Sequence, residues 1–172
     1  EEQKEFMPEK HGVYQQKLVE CFKAKIPEYY KGICCRNDVG EDAFFWQKNL
    51  NGGDEDLTFA NLLINKNYRR FVRELVPLLE DREIIYVVNK SANLDGLPFK
   101  VKKDFRIGSN CMIDNFDTIK QVKDYIQENN IKDHVVLCSA ASLSNFIIRD
   151  CFEDNPNNTF LDIGSCLNPY LE

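Results

Sequence analysis

Residues 82–90, "REIIYVVNK", decide the fold class of this chain. The five residues from Ile84 to Val88 are apolar without alternation, and strands that are buried on both faces have this pattern. Two similar runs lie nearer the C-terminus, "HVVLCSA" at 134–140 and "TFLDIGS" at 159–165. We predict that all three runs are strands of one buried sheet.

Helical patterns separate these strands. Residues 115–130, "NFDTIKQVKDYIQENN", place Ile119, Val122 and Ile126 on one helical face, and residues 142–154 form a second helix. Such alternation of strand and helix predicts a mostly parallel sheet with helices on both faces, which is a Rossmann-like α/β fold. We expect a single domain over residues 1–172, because no linker, repeat or low-complexity tract interrupts the pattern.

The N-terminal part of the chain continues the alternation. Residues 14–26 have helical spacing, "KGICC" at 31–35 reads as a short buried strand of the same sheet, and "EDAFFWQKNL" at 41–50 reads as a helix. Residues 67–81 carry an apolar helical stripe that Pro77 interrupts. We expect the aromatic side chains of the 41–50 helix to pack in the core rather than to form a platform for a sugar: Phe44, Phe45 and Trp46.

The charge balance restricts the partners. The net charge is −6 and the pI is about 5.1, which argues against non-specific binding to nucleic acid or anionic membranes and leaves room only for a local basic pocket. No apolar stretch approaches the ~20 residues that span a bilayer, and the first residues lack the apolar segment of a signal peptide. We expect a cytoplasmic protein without a membrane span and without a nucleic-acid partner.

The cysteines and acidic residues offer little for metal chemistry. The seven cysteines are odd in number, form no CxxC motif and lie mostly in apolar runs, so we interpret them as reduced core thiols. Two histidines, neither close in sequence to a nucleophile, give no covalent catalytic pair. Asp54 and Asp56 in "GGDEDL" either bind Mg²⁺ or Mn²⁺ or cap a following helix.

The candidate ligand site lies where the predicted strands end. In open α/β sheets, ligands bind beyond the carboxyl ends of the strands. The residues that follow the predicted strands are therefore the candidates. They are Arg36, Asn37 and Asp38 after "KGICC", Asn89, Lys90 and Ser91 after "IIYVV", Ser139, Ala140, Ala141 and Ser142 after "VVLC", and Asp162, Gly164 and Ser165 after "TFL".

Each candidate has two interpretations. Small residues at 139–142 either let a phosphate approach the backbone N–H groups at a helix N-terminus or serve tight strand-to-helix packing with serine capping. Lys90 either meets a phosphate or is solvated. Asp162 either accepts a hydrogen bond from a ligand hydroxyl or caps backbone N–H groups in its turn. Arg36 and Asp38 leave the same alternatives open.

The order of these pieces resembles the GT-D-type glycosyltransferases, a Rossmann-like family first catalogued as a domain of unknown function in bacterial glycosylation clusters. "VYQQKLVECFKAKI" at 13–26 is similar to the family's early Tyr-x-x-x-Leu helix. "ICCRND" at 33–38 resembles its strand ending near a Pro-Asp pair, and "FFWQKNL" at 44–50 resembles its Phe-Trp-x-Lys helix.

The C-terminal half carries further similarities. "REIIYVVNKS" is similar to the family's strand entering the nucleotide site, and "NCMIDNFDTIKQV" resembles its Asn-Ala-Phe segment. "VVLCSAASLSNFIIRD" resembles the strand before its Gly-Pro-Thr-Ala turn, although the turn here is "SAAS". "FLDIGSCLNPYLE" resembles its closing Asp-Ile-Gly-His segment, with Ser165 in place of the histidine.

The resemblance implies a reaction and a set of ligands. The reaction is transfer of a sugar from a nucleotide diphosphate-sugar, with a UDP-sugar favoured, to a glycan or glycoconjugate acceptor. Asp38 and Asp162 are then the carboxylates at the reacting centre, and the remaining strand-end residues contact the nucleotide-sugar. The alternative is a noncatalytic Rossmann-like domain that binds a nucleotide or a partner and has lost the metal motif.

The resemblance also implies a divalent metal, Mn²⁺ or Mg²⁺. The family holds it with a Gly-Asp-Gly-Glu segment just before the first helix. Nothing in this chain matches that segment in full. Either Glu1 is its last residue and the rest lies upstream, or the motif is absent.

Overall fold

The computed structural model describes residues 6–172 and confirms the Rossmann-like α/β fold class. Its strands are β1 (Lys31–Ile33), β2 (Leu57–Phe59), β3 (Ile84–Asn89), β4 (Val101–Ile107), β5 (Val135–Cys138) and β6 (Thr159–Asp162). Its α-helices are α1 (Pro8–Lys23), α2 (Arg36–Val39), α3 (Glu41–Asn51), α4 (Tyr68–Arg70), α5 (Cys111–Asp114), α6 (Thr118–Glu128) and α7 (Ser142–Asp154). Short 3₁₀ turns span Asn65–Asn67, Val76–Leu79 and Asn168–Tyr170, and a π-helical turn spans Phe71–Leu75.

Four parallel strands form the main sheet in the order β4-β3-β5-β6. Ile84 to Val88 are buried, as the apolar run predicts for a central strand. The chain leaves β3 towards β4 on one side and later returns to β5 on the other side. The topological switch point of the sheet, where α/β folds bind their ligands, therefore lies between β3 and β5.

Helical segments cover both faces of the main sheet, as predicted. On one face, α1, α6 and α7 pack against Ile85, Val87 and Val136. On the other face, the helical run 65–79 and the C-terminal residues pack against Tyr86 and Leu137. The side chains of Ile84–Val88 and Val135–Cys138 are therefore buried on whichever face they point to.

Pro77 breaks the regular helix as its position predicts. The run begins as a 3₁₀ turn and α4, widens into the π-helical turn Phe71–Leu75 and closes as a second 3₁₀ turn that contains Pro77. Proline has no N–H group for the residue four positions earlier, and its ring crowds that carbonyl group. A regular α-helix therefore cannot pass through this position.

The prediction that "KGICC" extends the main sheet is wrong. Among the described residues, β1 pairs only with β2, in a separate two-stranded parallel sheet. The pair is close: a Cβ atom on Gly32 would lie 3.1 Å from Ala60 Cα. A strand of three residues has too short a pattern to reveal which strand it pairs with.

Two further expectations about this region are also wrong. Phe45 and Trp46 are exposed rather than buried, because successive helical residues point about 100° apart and three in a row cannot all face the core. Asp54 and Asp56 do not cap a helix, since the strand β2 follows them. Asp54 instead pairs with Lys48, with 2.6 Å between Oδ1 and Nζ.

Most of the cysteines are core residues, as predicted. Cys21, Cys111, Cys138, Cys151 and Cys166 are buried, whereas Cys34 is exposed and Cys35 is partly exposed. Burial raises the pKa of Cys151 to about 12. No helix within residues 6–172 has the length and apolar character needed to cross a membrane.

Candidate functional site

The carboxyl ends of three neighbouring strands meet at one edge of the main sheet. In the register of the sheet, Val87 lies opposite Cys138, and Cys138 lies opposite Asp162. Neighbouring strands are about 4.8 Å apart, so the ends of β3 and β6 lie roughly 10 Å from each other. The structure therefore brings together three of the four predicted segments: those that follow β3, β5 and β6.

Hydrogen bonds within the turn after β3 fix its conformation. Asn89 Oδ1 accepts hydrogen bonds from the Ser91 amide at 3.0 Å and from the Ser91 hydroxyl at 2.8 Å. The Lys90 amide donates to the Ile107 carbonyl of β4 at 2.8 Å, which fixes the backbone there. The Lys90 side chain is exposed and forms no ion pair with residues 6–172. Its amine is thus accessible to an anionic ligand.

The turn from β5 to α7 combines tight packing with open backbone donors. Ala140 is buried, and its amide donates to Ser144 Oγ at 3.1 Å. The Ser139 hydroxyl shares a 2.9 Å hydrogen bond with Tyr86 Oη. Ala141 has φ 45° and ψ −136°, and α7 begins without a side-chain cap. The amides of Ala141 and Ser142 donate no hydrogen bond within the described residues, so this helix N-terminus presents free N–H groups.

Asp162 caps a backbone N–H group in its own turn, which is one of the two roles predicted for it. Its Oδ1 accepts a hydrogen bond from the Gly164 amide at 3.0 Å, and Gly164 has φ 49°, which favours glycine. The same side chain is solvent-exposed in the wall of a groove. Desolvation by the protein around that groove raises the pKa of Asp162, while hydrogen bonds from the Gly164 amide and the Ser144 hydroxyl oppose the rise.

A groove of about 1100 Å³ adjoins this edge of the sheet. It separates the free edge of β6 from the two-stranded sheet, and its volume slightly exceeds the ~300–1,000 Å³ that is usual for ligand pockets. Asp162, Gly164 and Ser165 line one wall, and the exposed rings of Tyr30 and Trp46 lie among its other lining residues. Sequence patterns did not reveal this groove, although adjacent aromatic residues in α3 were a signal that one of them would remain exposed.

The segment after β1 does not join this site. Arg36 lies 3.2 Å from Glu41 Oε1, and its guanidinium group packs over the Phe44 ring. Asp38 Oδ2 accepts a hydrogen bond from the Cys35 thiol at 2.7 Å. The prediction that Arg36, Asn37 and Asp38 share an edge with the other candidates is wrong, because β1 belongs to the other sheet and none of the three lines the groove.

The described residues do not include an assembled metal centre. Within residues 6–172, no group of three or more His, Cys, Asp or Glu side chains is arranged to hold an ion. The predicted ligand Glu1 lies outside the described residues.

Comparison with known proteins adds no assignment. No family model, curated protein or solved structure matches the chain. The fold class rests on the parallel strand order of the main sheet and on the helices that cover both of its faces.

Proposed function

We propose that this chain is a glycosyltransferase that moves a sugar from a nucleotide diphosphate-sugar, with UDP-sugars favoured, to a glycan or glycoconjugate acceptor. One observation supports this most. The switch point of the main sheet, with a free helix N-terminus, lies next to a groove that Asp162 helps to line. A sugar donor needs a site for its diphosphate, and an acceptor needs a separate approach to the same centre.

The β5–α7 turn is the proposed diphosphate site. The free amides of Ala141 and Ser142 lie at the positive end of the α7 dipole, which is equivalent to roughly half an elementary charge. Lys90, at the end of the neighbouring strand, adds a full positive charge. These groups stabilise the negative charge that develops on the departing diphosphate.

Asp162 is the proposed carboxylate at the reacting centre. In the transfer step, a hydroxyl oxygen of the acceptor forms a bond to the anomeric carbon of the sugar. The bond from that carbon to the diphosphate oxygen breaks, and the diphosphate leaves with the bonding electrons. Asp162 accepts the proton of the hydroxyl, and its raised pKa brings it closer to the value that a general base needs.

A noncatalytic domain that binds a nucleotide or a partner is the second candidate. Internal hydrogen bonds already occupy the Ser139 hydroxyl and Asp162 Oδ1. Side chains with internal partners of this kind also fit a structural role. Binding and turnover must therefore be measured separately.

Two measurements on one panel separate the candidates. The first is the shift in melting temperature with UDP, GDP, CDP or ADP, each with and without Mn²⁺. A ligand present at a hundred times its dissociation constant stabilises by about 2.7 kcal/mol. The second is release of the nucleoside diphosphate from the corresponding sugar donors in the presence of candidate acceptors.

A transferase predicts both a shift and release of the diphosphate. Asp162→Asn should then keep the shift and lose release by about a hundredfold or more, as removal of a general base does. Asp38→Asn is the matched control and should keep both, because Asp38 lies beside the other sheet. A shift without release supports the noncatalytic domain, and the absence of both contradicts both candidates.

A further inference from the structure

The positive charge of this acidic protein is unevenly distributed. Residues 57–73, between Asp56 and Glu74, contain four basic residues and no acidic one. The rest of the chain holds 18 of the 22 basic residues and all 28 acidic residues, a net charge of −10. The overall charge of −6 therefore hides a local cationic segment.

The four cations lie on one face of the helical run that starts at Asn65. Their spacing is i, i+3, i+4 and i+7, and all four side chains are exposed. The opposite face packs on the main sheet through the buried Phe71 and its partly buried neighbours. We call these four residues the basic stripe: Lys66, Arg69, Arg70 and Arg73.

Acidic neighbours neutralise only part of the basic stripe. Glu74 pairs with Arg70 at 3.0 Å and with Arg73 at 2.6 Å. Lys66 and Arg69 form no ion pair within residues 6–172. Two full positive charges therefore face solvent without a counter-ion from the described part of the protein.

Exposed apolar side chains directly precede the basic stripe. Leu62 is 55 % exposed, and Phe59 and Ile64 are also exposed. Cations beside exposed aliphatic and aromatic side chains match the chemistry of an anionic bilayer surface, in which phosphates lie above hydrocarbon. The phosphates of a nucleic acid would also contact the cations, but a nucleic acid offers no hydrocarbon layer in which the exposed Leu and Ile side chains could be buried.

We propose that residues 59–73 dock on a membrane surface that contains anionic phospholipid. The cations contact lipid phosphates, and Phe59, Leu62 and Ile64 enter the interface between headgroups and hydrocarbon. These three apolar residues also line the groove beside Asp162. Docking therefore turns the mouth of the groove towards the lipid. This proposal does not depend on the proposed sugar transfer.

Sedimentation with vesicles tests this docking. The protein should sediment with vesicles of one part phosphatidylglycerol to two parts phosphatidylcholine, and it should remain in solution with pure phosphatidylcholine. Binding should weaken as salt is added, because salt screens exposed charges. Lys66→Gln with Arg69→Gln should lower the partition coefficient about 25-fold, which is about fivefold per cation.

Two further variants make the test specific. Lys10→Gln with Lys132→Gln also removes two exposed cations that lack ion pairs, but elsewhere on the surface, and should leave partitioning nearly unchanged. Leu62→Asn with Ile64→Asn should weaken partitioning while the dependence on salt stays the same. Melting temperatures establish that each variant is folded.

Several outcomes would overturn the proposal. One is equal sedimentation with neutral and anionic vesicles, and another is an equal loss in the Lys10/Lys132 control. A third is preferential binding to a DNA duplex at the same phosphate concentration with no effect of Leu62→Asn and Ile64→Asn, which would assign the surface to nucleic acid. Nucleotide-induced melting shifts in solution remain a separate test of the proposed function.

Discussion

The two sheets of this protein differ in how completely they are covered. The strands β3 and β5 of the main sheet are almost entirely buried, and helical segments cover both faces. The two-stranded sheet has three residues per strand, and exposed aromatic side chains and an exposed thiol lie in its surroundings. Stability is therefore concentrated in the main sheet, and exposed apolar side chains are concentrated around the smaller one.

The groove lies where these two regions face each other. The main sheet contributes the edge of β6 with Asp162, which well-packed neighbours hold in place. The smaller region contributes side chains that retain much of their exposure, such as Trp46 at 58 %. A rigid wall that carries the chemistry thus faces a wall with free apolar surface.

Truncating one apolar side chain in each region tests this contrast most strongly. Ile85→Ala in β3 should lower the free energy of unfolding by about 2–5 kcal/mol, because it leaves a cavity in a fully buried site. Phe59→Ala in β2 should cost well under half as much, because the ring is already about half exposed. Denaturant unfolding measures both values. Equal losses would show that the two regions are equally well packed.

Ser144→Ala sharpens the comparison at the edge of the main sheet. Its buried hydroxyl accepts the Ala140 amide, so its loss leaves a buried donor unpaired at a cost of about 1–3 kcal/mol. Ser165→Ala is the matched control, because that serine is exposed in the same site, and the change should stay within about 0.5 kcal/mol. Similar losses of stability for the two variants would contradict tight packing around Ser144 at the edge of the main sheet.

Ser144→Ala should also change how stability depends on pH. The pKa of Asp162 is raised in the folded state, so the folded state binds more protons and this group stabilises less as pH rises from about 3.8 through its folded pKa. Ser144→Ala removes a hydrogen bond that lowers this pKa, and the decline should extend to higher pH. The pH profile of stability with Asp162 minus the profile with Asp162→Asn gives the contribution of this carboxyl group, and it is measured with Ser144 and with Ser144→Ala. Identical contributions in the two backgrounds would contradict the hydrogen bond from Ser144 to Asp162.

Gly96→Ala tests the close contact between Gly96 and the C-terminal residues. A Cβ atom at this position would lie 2.5 Å from the Tyr170 carbonyl oxygen, so the backbone must move, at a cost of about 1–3 kcal/mol. Gly12→Ala in α1 meets no atom within 4 Å and should stabilise by about 0.5–1 kcal/mol. Hydrogen exchange of residues 168–171 should accelerate only in Gly96→Ala. Unchanged exchange there would mean that the contact is not made.

Thiol labelling gives the smallest effect on stability but separates the two regions directly. Cys34 beside the smaller sheet is exposed, whereas burial raises the pKa of Cys138 in the main sheet well above its ordinary value. Dithiobis(nitrobenzoate) should react rapidly with Cys34 in the folded protein and with all seven thiols after denaturation. Cys34→Ser should abolish the rapid phase with little change in stability. Rapid labelling of Cys138 in the folded protein would contradict its burial in the core of the main sheet.

The parts of the fold that the sequence predicted are those with long or continuous patterns. The apolar runs of β3 and β5 and the helical periodicity of α6 identified their elements, because burial imposes those patterns over many residues. β1 has three residues, and nothing in its pattern distinguishes pairing with β2 from pairing with the main sheet. That ambiguity explains the wrong placement of Arg36 to Asp38.

The candidate site, like the fold, was predictable only where it depends on strands with clear patterns. Rules for strand ends placed Asn89, Ser139 and Asp162 at one edge of the sheet, since these residues end or directly follow strands whose identity was clear. The groove has walls from segments far apart in sequence, and no local pattern records their proximity. The basic stripe, by contrast, was readable from the charge of residues 57–73, but the overall charge of −6 obscured it.

Hydrogen exchange with and without UDP tests the central claim most directly, namely that the carboxyl edge of the main sheet is the nucleotide site. We expect protection in residues 89–92, 139–144 and 162–166, with the largest change at the open amides of Ala141 and Ser142. Residues 34–38 beside the smaller sheet should exchange at an unchanged rate. Protection at 34–38 alone, or no protection with any nucleoside diphosphate, would contradict the assignment of the site.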